Sequence, residues 1–310
     1  MKKYIKRRNF LKTLLVSPAI ATTDIFLTTP PIPPLPKIEK AAGPKLKISL
    51  NAYSFNEPLK NGSMTLDDLL LFCAANNFDA IDLTAYYFPG YPVVPSDSYI
   101  YHLKQKAFHL GLGISGTGVK NDFTSPDENK RKEDVTLVKR WIECAAKIGA
   151  PVIRIFSGTQ IPEGYSWDQV ATWMVKDLTE CVAHGKKHGV IVAMQNHNDF
   201  IKTADQAQKI IELVNSDWFG LVLDIGSYRN DNPYKQIEQT TKYAVNWQLK
   251  ETMFLNGLEQ KTDLQKVIAI IIASGYRGYL PLETLGAGDP KLKVPLFLAQ
   301  VREAIVKNGL

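Results

Sequence analysis

The chain has 310 residues, enough for one large α/β domain with a short extension. Its 45% hydrophobic and 22% charged residues match an ordinary globular protein and exclude a low-complexity chain. The net charge of +6 comes from the start of the chain: six of the 37 basic residues precede Ala21 and no acid does, leaving 31 bases against 31 acids. A nucleic-acid binder needs a surplus of Lys and Arg on its working face, so no nucleic-acid partner is expected.

Residues 1–21 read as an export signal. Lys6-Arg7-Arg8-Asn9-Phe10-Leu11-Lys12 resembles the twin-arginine motif, a short apolar stretch follows, and Ala19-Ile20-Ala21 has a small-x-small cleavage pattern. The plainer alternative is an uncleaved anchor or a basic tail. Export implies a periplasmic protein with no membrane span after cleavage. Residues 22–44 hold Thr28-Thr29-Pro30-Pro31-Ile32-Pro33-Pro34, a proline-rich linker unable to pack as helix or sheet. The folded domain is expected over 45–310.

From there short apolar runs alternate with amphipathic segments. Strands are predicted at Leu46–Ala52, Ala80–Leu83, Gly113–Gly118, Val152–Phe156, Val190–Asn196, Gly220–Asp224, Val245–Lys250 and Tyr279–Glu283. Helices are predicted at Thr65–Asn77, Ser98–Leu110, Glu128–Ile148, Trp167–His188, Thr203–Val214, Pro233–Tyr243, Thr262–Ser274 and Pro290–Lys307. Thr65, Thr203 and Thr262 are candidate N-caps. Cys73, Cys144 and Cys181 fall on helical segments and read as small buried apolar residues. Eight strands alternating with eight helices predict a single-domain (β/α)8 TIM barrel. The competing open doubly wound sheet usually carries a Gly-rich turn after its first strand. Here that turn is Asn51-Ala52-Tyr53-Ser54-Phe55, without glycine.

A barrel of this kind gathers its chemistry at the C-terminal strand ends. Strands five to eight end in Gln195, Asp224, Gln248 and Glu283, four oxygen donors able to hold a hard divalent ion such as Mg2+ or Mn2+. The plainer reading makes them hydrogen-bonded rim residues. His197 and Lys250 are titratable neighbours, able to donate a proton or polarise a carbonyl, or else to orient substrate and form a salt bridge. Asn51, Tyr53, Asp82 and Asn196 are candidate substrate contacts. Tyr53, Phe55, Tyr86, Tyr87, Phe88 and Tyr91 crowd the early loops, either to stack on sugar rings or to pack a small cap.

These strand ends resemble the xylose isomerase-like TIM barrel family over roughly residues 45–307. The likeness rests on Phe78-Asp79-Ala80-Ile81-Asp82-Leu83, Gln195-Asn196-His197, Leu223-Asp224-Ile225-Gly226, Leu249-Lys250-Glu251 and Leu282-Glu283-Thr284. The resemblance implies a sugar isomerase or epimerase holding one divalent metal with Glu, Asp, His and Glu. Asp224 and Glu283 match that set. Gln195 stands in place of the first Glu and Gln248 in place of the His. An amide exchanges no proton near neutral pH, so an epimerisation using two glutamates is not expected. The readings carried forward are proton abstraction next to the carbonyl of a non-phosphorylated sugar, a lyase or hydratase acting on 3-keto sugars or glycosides, and a non-catalytic sugar-binding barrel. Glu283, Lys250 and His197 are the candidate catalytic groups.

Overall fold

The computed structural model describes residues 43–310; the export-signal assignment and all but the last two residues of the proline-rich linker lie outside them. In chain order the elements are β1 (Lys45–Asn51), α1 (Asn56–Lys60), α2 (Leu66–Ala75), β2 (Ala80–Thr84), α3 (Asp97–His109), β3 (Gly113–Gly118), α4 (Glu128–Ile148), β4 (Val152–Phe156) and α5 (Trp167–His188). There follow β5 (Ile191–Gln195), α6 (Ala204–Val214), β6 (Phe219–Asp224), α7 (Pro233–Thr240), β7 (Ala244–Lys250), β8 (Thr252–Leu255), β9 (Leu258–Lys261), α8 (Leu264–Ala273), β10 (Arg277–Glu283) and α9 (Pro290–Lys307). Eight strands close in the order β1-β10-β7-β6-β5-β4-β3-β2. Every neighbouring pair is parallel. The (β/α)8 barrel predicted from the alternation is the fold of this chain.

Strand periodicity sorts the side chains into two layers. On β4, Ile153 and Ile155 join the large core between barrel and helices. Val152 packs with Ala193 and Val222 in a separate small cluster, so the alternate positions of β4–β6 face the barrel axis. Higher along the axis the interior turns polar. Ser49 Oγ lies 2.6 Å from Ser115 Oγ, and Asn246 Nδ2 donates to the Ser115 carbonyl at 3.3 Å. The same parity carries Gln195, Asp224, Gln248 and Lys250 toward the mouth.

Local chemistry ends the helices where the sequence suggests. Thr65, Ser166 and Thr203 form reciprocal capping boxes with Asp68, Gln169 and Gln206. Gly149 and Gly189 close α4 and α5 in the left-handed region at φ 90° and 68°, where a Cβ would strain the backbone. One cap is corrected: Asp263, not Thr262, accepts from the third backbone N–H of α8. Thr262 instead donates to the Lys250 carbonyl at 2.8 Å, tying the end of β7 to the segment before α8. Between them lies the β8–β9 hairpin, paired from Thr252↔Lys261 to Leu255↔Leu258. Its short, largely exposed strands carry too little apolar alternation to be read from sequence. The three cysteines are buried free thiols. Among the described residues no helix is long and apolar enough to cross a membrane.

Candidate active site

The barrel mouth opens into a cavity of about 510 Å³, within the usual range for small-molecule sites. Gln195, Gln248, Lys250, Glu283, His197 and Tyr53 all line it. Three strands, the turn after β1 and the loop after β5 therefore bring together most of the residues singled out from sequence. Asp224 lies fully buried beneath them.

Lys250 organises the floor. Its ammonium lies 2.7 Å from Asp224 Oδ2 and 3.0 Å from Glu283 Oε2. Burial alone would lower the pKa of this lysine, but the two carboxylates outweigh it and hold the group above the ordinary lysine value. Burial likewise pushes Asp224 up, while Lys250, with His197 and Ser227, brings it below the ordinary carboxylate value. Lys250 is therefore a standing positive charge and does not serve as a base near neutral pH.

The amides complete the arrangement. Gln195 Nε2 donates to Asp224 Oδ2 at 2.8 Å, and Gln248 Nε2 donates to Glu283 Oε1 at 2.9 Å. The Gly226 backbone N–H takes Asp224 Oδ1 at 2.9 Å. Every oxygen of Asp224 and Glu283 thus accepts from nitrogen. A carboxylate offers about four lone-pair sites, so Glu283 keeps capacity to receive a proton.

A divalent ion does not fit these residues. Mg2+ or Mn2+ needs several oxygens directed at one point, at roughly 2.0–2.2 Å. Here an ammonium bridges the two anions and both amides present N–H to them. Of the amide oxygens, Gln248 Oε1 is buried with no partner. A lone neutral oxygen in a site already holding a fixed ammonium is a poor cation site. Gln195, Asp224, Gln248 and Glu283, the four donors that the resemblance implies for a metal, come together here around Lys250. On the helix exterior, Glu143, His184 and His188 place one ligand atom each within 4.8 Å of one another, the candidate metal group among the described residues.

His197 packs edge-on against Phe156 with ring centroids 4.7 Å apart, and its Nδ1 lies 2.7 Å from Asp199 Oδ2. The carboxylate fixes the ring, which lines the cavity from the loop after β5. Tyr53 is partly exposed at the mouth.

Three expected substrate contacts lie outside the lining. Asn196 is fully buried; its Oδ1 accepts from the Asp224 N–H at 2.8 Å and its Nδ2 donates to the Asp224 carbonyl at 3.0 Å. It positions Asp224 from within the wall, out of reach of the cavity. Asn51 spends its Oδ1 on the Tyr53 N–H at 2.9 Å, capping the turn after β1. Asp82 is buried on β2, and burial raises it to about 6, with Glu283 adding to the rise and Arg154 opposing it. The aromatic loops divide the two roles between them: Tyr86 and Tyr91 line the cavity, whereas Phe55 and Phe88 are buried in the core.

Sequence reasoning missed Arg154. It sits mid-strand on β4, 8% exposed, and reaches the cavity wall. The available signal was an arginine at an axis-facing position of the apolar run Val-Ile-Arg-Ile-Phe.

The xylose isomerase-like TIM barrel family model matches residues 70–300. The chain belongs to this family. Among solved structures, the xylose isomerase-like barrel superposes on 3-keto-D-glucoside 4-epimerase YcjR from E. coli at a TM-score of 0.68 and 15% identity, covering 84% of this chain and 100% of that one. D-psicose 3-epimerase from Clostridium cellulolyticum H10, solved with D-tagatose, gives 0.69 and 17%, covering 84% and 99%. An IOLI protein with a binding zinc atom gives 0.69 and 18%, covering 84% and 97%. At such identities these likenesses establish a shared barrel. No curated protein matches the sequence.

Proposed function

We propose that this xylose isomerase-like barrel is a sugar isomerase or epimerase-type enzyme acting by proton abstraction next to a carbonyl, with Lys250 supplying the positive charge at its centre. The observation that carries the reading is the Lys250 ammonium bridging Asp224 and Glu283 at the cavity floor. Removing a proton beside a carbonyl throws negative charge onto the carbonyl oxygen. A fixed ammonium at the cavity floor stabilises that charge without reorganising. Glu283 is the base, and its second oxygen stays tied to Gln248, which fixes its orientation. Asp224 balances Lys250 and holds it in place. His197, oriented by Asp199, faces the substrate from the β5 side and is the acid that returns or delivers a proton.

Support for a sugar comes from the family, from the epimerases among the structural neighbours, and from tyrosines in the lining. The basic leader supports export to the periplasm, where sugar phosphates are scarce, and no Gly-rich phosphate cradle occurs in the chain. A non-phosphorylated substrate follows.

The second reading is β-elimination or hydration on a 3-keto sugar or glycoside. It is favoured by Gln195, which leaves a single carboxylate on the cavity wall where a glutamate-based epimerase needs two. One experiment covers both readings. The purified chain is incubated with candidate keto sugars and glycosides in deuterated water and followed by NMR. Deuterium at the carbon next to the carbonyl, with the skeleton retained, selects the isomerase. Loss of the aglycone from a 3-keto-glucoside selects the lyase. Glu283→Gln abolishes either signal, and activity retained in that variant would reject Glu283 as the base.

A further inference from the structure

The cavity lining is strongly cationic. Lys60, Lys120, Arg154, Arg229 and Lys250 face it, against the single carboxylate of Glu283. The chain after Ala21 is balanced at 31 bases and 31 acids, so this surplus is local. Lys250 is already paired with Asp224 and Glu283, so it is not counted in the surplus. Among the described residues, none of the other four has a carboxylate within 4.0 Å.

Arg154 is the built part. Its Nη1 donates to the Val119 carbonyl at 2.8 Å and its Nη2 to the Tyr86 hydroxyl at 2.6 Å. The guanidinium also lies 4.2 Å from the Phe156 ring centroid and 5.4 Å from that of Tyr86. Gly118 makes room for it: a Cβ there would come within 2.7 Å of Arg154 Nε. A guanidinium has five N–H donors, and two are accounted for. A buried cation, held rigid and with no carboxylate in direct contact, only the more distant field of buried Asp82, gains most from an anion that the ligand brings. Lys60, Lys120 and Arg229 are exposed around it, where they attract an anion without binding it tightly.

We infer that the cavity takes an acidic sugar, a monosaccharide-sized polyol bearing a carboxylate, with that carboxylate paired to Arg154. The planar fork of arginine matches a carboxylate with two parallel hydrogen bonds. This assignment deepens the sugar reading above and rests on it for the ring, while the charged subsite stands on Arg154 and its neighbours.

Calorimetric titration of the full chain tests it, with D-galacturonate, D-galactose and D-glucose 6-phosphate as probes at low and moderate salt. The expected result is that galacturonate binds at least about tenfold more tightly than galactose, and that the preference shrinks as salt rises. Arg154→Gln should erase the preference and Arg154→Lys restore part of it. Should Arg154→Gln fail to fold, the exposed pair Lys120→Ala and Arg229→Ala keeps the test open, since together they should weaken the salt-dependent part of the preference. Equal binding of galactose and galacturonate overturns the inference, and tightest binding of the phosphate overturns the carboxylate assignment. Galacturonate binding without deuterium exchange in any substrate would retire the isomerase reading and leave this one standing. Exchange on neutral sugars with no acid preference would do the reverse.

Discussion

Replacing Lys250 by Met tests the centre of the site. The substitution keeps the approximate length of the side chain and deletes the charge that bridges Asp224 at 2.7 Å and Glu283 at 3.0 Å. Two buried carboxylates then face each other without a cation. Breaking a buried ion pair from one side costs about 3–5 kcal/mol. At roughly 2–4 °C per kcal/mol for a domain near this size, melting should fall by about 6–20 °C at pH 7.5. The pH dependence carries the diagnosis. In the wild type the depressed Asp224 pKa contributes stability above its unfolded value of 3.8, lost as pH falls through the folded value. The raised Lys250 contributes stability that is complete below 10.5 and lost as pH rises above it. Lys250→Met reverses the acid side: with the offsetting cation gone, burial raises Asp224, so the deficit should shrink toward pH 5. Urea denaturation of both proteins from pH 5 to 8.5 measures this, and Lys250→Met combined with Glu283→Gln should recover part of the loss at pH 7.5. A deficit that stays constant with pH, or is absent, would refute the bridging-ammonium argument.

Asp82 gives a second pH signature. Its carboxyl is raised to about 6 from 3.8, so stability from this group is complete below about pH 4 and falls as pH climbs to 6. Asp82→Asn should remove that fall and stabilise the protein at pH 7 by at most about 3 kcal/mol, read from urea midpoints at pH 4.5 and 7. Asp134, also raised to about 6, titrates in the same window and is cancelled by comparing variant with wild type. Asn196→Ala strands the buried N–H and carbonyl of Asp224 and should cost about 2–5 kcal/mol. Hydrogen exchange at the Asp224 amide should accelerate with it, and an unchanged amide would show that Asn196 does not brace β6.

Strand ends in a parallel barrel are local features, so the sequence shows which residues reach the mouth. Gln195, Asp224, Gln248 and Glu283 each close a short apolar run, and the fold delivers all four to one mouth whatever their identity. Sequence reading misjudged partners because a partner is chosen by neighbouring strands. Asn196 follows Gln195 directly, yet its side chain turns into the wall and locks β6, a choice made by the β5–β6 pairing Gln195↔Val222. Lys250 was read as either a proton donor or a salt bridge, and only the meeting of β6, β7 and β10 made it a bridge to both acids.

The eight-fold alternation, the helix caps and the glutamines at the ends of β5 and β7 were fixed by the chain itself, because periods of two and 3.6 and cap chemistry act within a few residues. Barrel closure decided the rest. It set an ammonium between two carboxylates drawn from different strands and turned the mid-strand Arg154 onto the cavity wall. These contacts join residues 26 to 68 positions apart, and no local pattern encodes which side chains will meet there.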